Sequence, residues 1–187
     1  MAAASGRGRA RARLIVVAVV FGALATGCLR VAASPPAPGP NGQFPAGSLV
    51  TVTPECQVAG EIADQLGALL VAAEAAGVGL APETSSYLPP GVTPPPRMES
   101  CYRSYGMQVW WRDYYCSIDK CGNAALPGMS KHGWGHAVDF EDQLGELTFT
   151  SPGYQWLVTN AARFGFSQPP SVQEGGANEE AWHWEAA

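Results

Sequence analysis

Basic residues are scarce in this 187-residue chain, and four of its eleven Lys and Arg (Arg7, Arg9, Arg11 and Arg13) precede Leu14. Residues 28–187 retain 7 Lys and Arg against 16 Asp and Glu, a net charge of −9. A body that acidic argues against nucleic-acid binding through the phosphate backbone. Long apolar runs are missing as well. The longest, Leu14–Thr26, has thirteen residues, short of the roughly 20 that a spanning helix needs. Neither heptads nor long repeats occur, which excludes coiled coils and solenoids. No Arg-Arg pair supports twin-arginine export. Histidine occurs only three times, at His132, His136 and His183, so any imidazole chemistry rests on these. What remains is 47% hydrophobic and 14% charged, enough apolar content for one packed domain.

Residues 1–27 run from a basic stretch through the short apolar run to small residues, the order of a secretory signal. Leu24-Ala25-Thr26-Gly27-Cys28 resembles a bacterial lipobox, with Ala25 where Leu is commoner. Lipidation of Cys28 is expected, against ordinary cleavage near Ala25 or Gly27. Residues 28–54 contain Pro35, Pro36, Pro38, Pro40, Pro45 and Pro54. Because proline fixes φ and donates no hydrogen bond, this segment is expected to be a lipid-anchored, semi-rigid tether. The chain would then be exported and held at the bacterial cell surface, on the outer face of the plasma membrane. The domain itself is assigned to residues 55–187. Its four cysteines, Cys56, Cys101, Cys116 and Cys121, suggest two disulfides in an exported chain. Three pairings are possible, among them Cys116–Cys121 with Cys56–Cys101. A structural zinc on four thiolates is the competing interpretation, though the spacing lacks two close pairs.

Hydrophobic periodicity predicts a helix over Glu55–Gly77, with Val58, Ile62, Leu66, Leu69, Leu70 and Ala73 on one face. Val78–Ala81 is a candidate strand, and the five prolines of Leu88–Arg97 require a loop. Tyr105–Tyr115 suits a helix, and Ala137–Phe140 a short strand. Ser151-Pro152 starts a helix that Gly165 ends. Glu180–Glu185 reads as a strand. The irregular alternation predicts an α+β fold with a small sheet. Asp142 and Glu146 suggest nothing beyond surface charge.

The three histidines fall in two distinctive stretches, Ser130-Lys131-His132-Gly133-Trp134-Gly135-His136-Ala137-Val138-Asp139 and Glu179-Glu180-Ala181-Trp182-His183-Trp184-Glu185. Two imidazoles and a carboxylate form the ligand set of a catalytic zinc with an open fourth position. Gly133 and Gly135 permit the tight path by which His132 and Asp139 would converge. Against this stands the ordinary alternative of a satisfied core histidine. Trp134, Trp182 and Trp184 are expected around the site, limiting water entry.

Ser130-x-His132-x-x-Gly135-x-Ala137-x-Asp139, then Glu180-x-Trp182-His183-Trp184, resembles the VanY-type D-alanyl-D-alanine carboxypeptidase family of zinc peptidases. Ser100-Cys101-Tyr102-Arg103-Ser104 with Gln108 is similar to a third element of that family, whose glycine is here Cys101. The resemblance covers about residues 60–185. It implies the fold shared with the hedgehog signalling domain: a small antiparallel sheet with flanking helices cradling a zinc site. It further implies one Zn2+ per chain on His132, Asp139 and His183, with Glu180 as general base and acid. Arg103 would stabilise charge on the scissile carbonyl or hold substrate. Ser130, Gln108 and Trp182 are expected at the substrate, and His136 at the surface or beside the ligands.

Strand parity disagrees with that resemblance on one point. Residues two apart share a strand face, so Glu179 and Glu185 would accompany His183 while Glu180 would face away. For Glu180 to reach the site the chain must turn or bulge before Trp182. The expected activity is removal of the terminal D-Ala from peptidoglycan stem peptides ending in D-Ala-D-Ala. Endopeptidase or D,D-dipeptidase activity, or a non-catalytic hedgehog-like zinc-binding lipoprotein, are the alternatives. Membrane contact is expected only through the lipid anchor.

Overall fold

A computed structural model describes residues 39–84 and 99–187. The expected signal, the Cys28 lipidation site, the first part of the tether and the Leu88–Arg97 loop lie outside the described residues. Among the described residues, two antiparallel sheets and three α-helices make up the fold. Strands β1 (Leu49–Thr53) and β2 (Cys56–Ala59) form a hairpin that leads into helix α1 (Gly60–Ala75). The larger sheet runs β3 (Ala81–Pro82), β4 (Ala137–Asp142), β7 (His183–Ala186) and β6 (Phe166–Ser167), with β5 (Gly145–Glu146) also on β4. Helices α2 (Tyr105–Ser117) and α3 (Pro152–Asn160) complete it. The α+β class and small antiparallel sheet are as the sequence implies. No helix among the described residues is long and apolar enough to cross a membrane.

Helix α1 begins at Gly60 rather than Glu55. Cys56 and Val58 are both fully buried and stand two residues apart, a strand period that merges into the helical face when extrapolated backwards. Backbone pairing decides the matter. Gln57 O accepts from Tyr102 N at 2.8 Å, and Ala59 N donates to Gly135 O at 3.1 Å. The helix ends as its glycine predicts. Gly77 has φ of +75°, with Val78 N bonded to Ala73 O and Gly77 N to Glu74 O, a Schellman closure.

The sheet separates two environments by alternation. Val138 and Phe140 of β4, with Trp184 and Ala186 of β7, face a core shared with Ile62, Leu66 and Leu69 of α1 and Leu157 of α3. Asp139, between Val138 and Phe140, and its cross-strand partner His183 take the opposite face. The strand expected over Glu180–Glu185 begins only at His183, because His183 N turns back to Glu180 O at 3.2 Å.

Two further expectations are corrected by the structure. Residues 39–54 are not a spacer throughout, since β1 pairs with β2 and Asn41 is buried. Gly42, at φ +73°, turns the chain so that its N–H donates to Gly133 O and its carbonyl accepts from Tyr105 N. Asp142 is also no mere surface charge. It is buried, and its Oδ2 accepts from Gly153 N at 2.9 Å, satisfying the start of α3 where Ser151 supplies no side-chain cap.

The cysteines pair as Cys56–Cys101 and Cys116–Cys121, which removes the thiolate zinc alternative. They close loops with sequence separations of 45 and 5. Loop entropy alone gives about 4 and about 2 kcal/mol respectively. Urea unfolding should therefore show Cys56→Ala/Cys101→Ala losing about twice as much stability as Cys116→Ala/Cys121→Ala. Equal losses would mean that the longer cross-link constrains little.

Candidate active site

The site is assembled from three segments on the open face of the sheet. The turn His132–Trp134 presents His132, β4 presents Asp139, and β7 presents His183. Gly135 closes the turn at φ +69°, and a Cβ there would lie 2.7 Å from Ala59 N. At Gly133 a Cβ would overlap Asn41 and Gln108. Both glycines of the motif are thus required by close approach, and Gly135 also by its left-handed backbone.

Three ligand atoms converge. His183 Nδ1 lies 3.0 Å from Asp139 Oδ1 and 3.1 Å from His132 Nε2, and His132 Nε2 lies 3.1 Å from Asp139 Oδ1. Ligand atoms about 2.0–2.1 Å from a tetrahedral zinc would stand about 3.3 Å apart, close to this triangle. The outer ring nitrogens fix the tautomers. His132 Nδ1 is 2.8 Å from Cys101 O, a carbonyl that can only accept, so Nδ1 carries the proton and Nε2 offers its lone pair inward. His183 Nε2 lies 3.3 Å from Glu185 Oε1, which directs its Nδ1 inward in the same way. The donor set therefore fits a divalent cation.

Electrostatics follow from burial and from this convergence. Burial and the Arg103 guanidinium hold His132 down at about 4, so it is neutral at pH 7. Burial would lower His183 too, but hydrogen bonds to Asp139 and Glu185 outweigh it and raise the ring to about 9. Burial opposes ionisation of Asp139, yet the two imidazoles and Arg103 keep it well below the usual carboxylate range. Arg103 Nη2 holds the second carboxylate oxygen, Asp139 Oδ2, at 2.7 Å. Its guanidinium carbon sits 5.8 Å from the Trp111 ring centroid.

The triad opens into a cleft of about 590 Å³. Arg103, Ser130, Trp182 and Glu180 line it, as do Glu83, Tyr115 and Glu146, to which the sequence assigned no part in a site. Burial pushes Glu180 up to about 7, Glu83 up to about 9 and the Tyr115 hydroxyl upward. Of the three acidic residues around His183, Glu179 accepts from Gly175 N, and Glu185 pairs with His183 and Lys131. The Glu180 carboxyl alone of these faces the cleft without a side-chain partner among the described residues. Because β7 starts at His183, strand parity does not apply to Glu180.

Other expected residues have different positions. Gln108 is buried. Its amide hydrogens go to Asn41 Oδ1 and Arg103 O, and its Oε1 accepts from Gly128 N. It braces the motif loop rather than presenting free groups to a substrate. Asn41 shares that work through Ser130 O; its only sequence signal is the Asn41-Gly42 turn dipeptide. His136 pairs with Glu61 of α1 at 2.7 Å, away from the triad. Trp184 lies in the core and Trp134 is exposed beside Phe44, so of the three tryptophans only Trp182 lines the cleft. Glu146 is half-buried on the cleft wall instead of at the surface.

Residues 93–186 match the sequence profile of VanY, described as D-alanyl-D-alanine carboxypeptidase. The chain belongs to this family. Among solved structures, VanYB in complex with D-alanine-D-alanine is similar, with TM-score 0.54 and 26% identity over 74% of this chain and 76% of that one. A mutant VanY D,D-pentapeptidase from a VanB-type resistance cassette, in complex with Zn(II), gives TM-score 0.54 and 26% identity over 76% and 81%. The LdcB LD-carboxypeptidase shares the fold at TM-score 0.56 and 24% identity, over 78% and 70%. No curated protein sequence matches significantly. The VanY membership and the observed triad bear out the family resemblance carried by the sequence motifs.

Metal affinity should depend on pH in a definite direction. His183, raised to about 9, is protonated at neutral pH and must release that proton to expose its lone pair. Zinc affinity, measured by chelator competition, should rise about tenfold per pH unit between pH 7 and 8.5. His183→Ala should lower affinity by at least about 100-fold and flatten the slope. A pH-independent affinity would contradict this protonation scheme.

Proposed function

We propose that the chain is a zinc-dependent D-alanyl-D-alanine carboxypeptidase that trims peptidoglycan stem peptides. The observation that carries this reading is the convergence of three ligand atoms beside the partnerless carboxyl of Glu180 in one cleft. Its family and the D-Ala-D-Ala bound by VanYB support the substrate class. His132, Asp139 and His183 would hold one zinc per chain. When bound, the ion supplies Lewis-acid polarisation and lowers the pKa of a water to about 7.

The protein groups divide the remaining work. A Glu180 oxygen accepts the proton of the attacking water and returns it to the leaving amine nitrogen. Arg103 Nη2 is committed to Asp139, and the rest of its guanidinium, on the cleft lining, would face charge that develops on the scissile carbonyl oxygen. Ser130 Oγ already accepts from His132 N at 3.2 Å, which leaves its hydroxyl hydrogen free to donate to substrate. Trp182 limits water entry. A non-catalytic zinc-binding protein would have no use for a half-buried, partnerless Glu180 facing the cleft.

Mass analysis of digested peptidoglycan separates the family's activities. Loss of one D-Ala per stem supports the carboxypeptidase; a released dipeptide or a cut cross-link would replace it with a D,D-dipeptidase or an endopeptidase. Glu180→Gln should keep its metal and lose about 10²–10⁴-fold in rate. The base works deprotonated, and burial places it at about 7. A neighbouring cation lowers that value. The acid limb of kcat/KM should therefore fall at or below pH 7 and vanish in Glu180→Gln. An active Glu180→Gln would sink the mechanism.

Export and anchoring at the outer face of the plasma membrane are part of the same proposal, resting on the Leu24–Cys28 motif. Cys28→Ala should move the protein from the membrane fraction to the soluble one. Unchanged retention would favour an uncleaved signal anchor.

A further inference from the structure

Glu180 lies outside β7, and its carboxyl meets no side-chain partner among the described residues. The direction of that carboxyl is therefore set by the backbone that carries it. Its neighbours leave little freedom. Ala181 is buried in the core, and Glu179 turns away to Gly175 N at 2.7 Å. The main chain of Glu180 is held at both ends. Its N–H donates to Val172 O at 2.9 Å, and its carbonyl accepts from His183 N at 3.2 Å and from Gln168 Nε2 at 3.0 Å. The first two bonds are backbone pairings that almost any sequence could make. The third comes from one particular side chain, twelve residues earlier.

Gln168 follows β6 directly and is only 8% exposed. Burying an amide so fully is unfavourable unless its polar atoms find partners. A backbone carbonyl can only accept, so the amide nitrogen must face Glu180 O, and Oε1 is left for the Tyr154 hydroxyl, which donates to it at 3.1 Å. Tyr154 belongs to α3 and is buried, with its ring centroid 5.2 Å from that of Phe149 and 6.1 Å from that of Trp184. The main chain of Gln168 is tied into the same loop, with Gln173 Nε2 donating to Gln168 O at 2.8 Å. A chain of two side-chain hydrogen bonds thus runs from a helix rooted in the core to the main chain of the cleft carboxyl. Neither Gln168 nor Tyr154 is among the residues that line the cleft, so any effect on the reaction passes through Glu180.

We propose that Gln168, oriented by Tyr154, is a positioning residue that aims Glu180 at the attacking water. A turn of the peptide plane that Gln168 holds would swing the carboxyl with it, and misplacing a reacting group by about 1 Å can cost about 100-fold in rate. The ordinary alternative, a buried amide that only satisfies its own atoms, would support stability and leave no mark specific to the base. The inference rests on the peptidase reading and adds to it a residue that acts without touching substrate.

Steady-state hydrolysis of Nα,Nε-diacetyl-L-Lys-D-Ala-D-Ala by the zinc-loaded protein tests it. Gln168→Leu keeps most of the bulk and removes both bonds. It should lower kcat roughly tenfold or more, the value of one hydrogen bond. KM should stay within about twofold, because binding is not what the bond supports. Zinc affinity, by chelator competition, should not change. Tyr154→Phe, which spares the packing, should give a smaller loss in the same parameter and keeps the test open if leucine impairs folding. The deciding comparison is the double variant. In a Glu180→Gln background the base is already gone, so Gln168→Leu should cost nothing further, whereas a structural defect would add its full loss. A crystal structure of Gln168→Leu should show the Glu180 carboxyl displaced, with the His132, Asp139 and His183 side chains in place. An unchanged kcat in both variants, additive losses in the double variant, a fall in zinc affinity or an undisplaced Glu180 would each overturn the inference. Wild-type protein that cleaves no D-Ala-D-Ala peptide would sink the peptidase reading instead, and the crystal structure would then decide the positioning by itself.

Discussion

Asp139 is a buried carboxylate that the fold keeps ionised, and the site depends on how that is achieved. Desolvation works against its charge, while two imidazoles on Oδ1 and one guanidinium on Oδ2 work for it. Each partner comes from a different part of the chain. Arg103 is on the segment before α2, His132 is on the turn before β4, and His183 opens β7. A side chain buried under such terms tolerates little displacement, because losing one partner leaves the others facing an uncompensated charge. The sheet supplies the required rigidity through the Asp139–His183 cross-strand pair, with Val138 and Trp184 locked into the core behind it.

The alternation of β4 and β7 makes one short sheet serve two purposes. Its back face excludes water with Val138, Phe140, Trp184 and Ala186, while its front face carries a row of ionisable groups. The front face is unfavourable when empty of counter-charge, and the back face offsets it with apolar burial. Neither face is stable in this form without the other. The supporting loops follow the same logic. Asn41 and Gln108 bond to each other at 3.0 Å and press on Gly133, so the histidine turn is braced where it meets them.

The His132, Asp139 and His183 cluster was legible because its members sit in short, local patterns, and because three histidines leave few choices. Glu180 was legible only through the family pattern, since parity assumes a strand that the turn at Glu180–His183 interrupts. The helix over Gly60–Ala75 was found but begun too early, as Val58 satisfies both the helical and the strand period. Asn41, Glu83, Asp142 and Glu146 were missed or given no task for a common reason. Each acts on a residue far away in sequence, or on the cleft that such residues form, and no local periodicity encodes that contact. Gln108 shows the reverse: its place in the motif is real, but its polar groups are spent within the protein.

The carbonyl that fixes the His132 tautomer belongs to Cys101, a half-cystine joined to Cys56 on β2. One residue thus serves both a covalent cross-link and the orientation of an imidazole. Until that bond closes, nothing covalent holds the Cys101 carbonyl beneath the ring. Breaking the cross-link would therefore loosen the support of the imidazole together with the loop it closes, because one residue carries both.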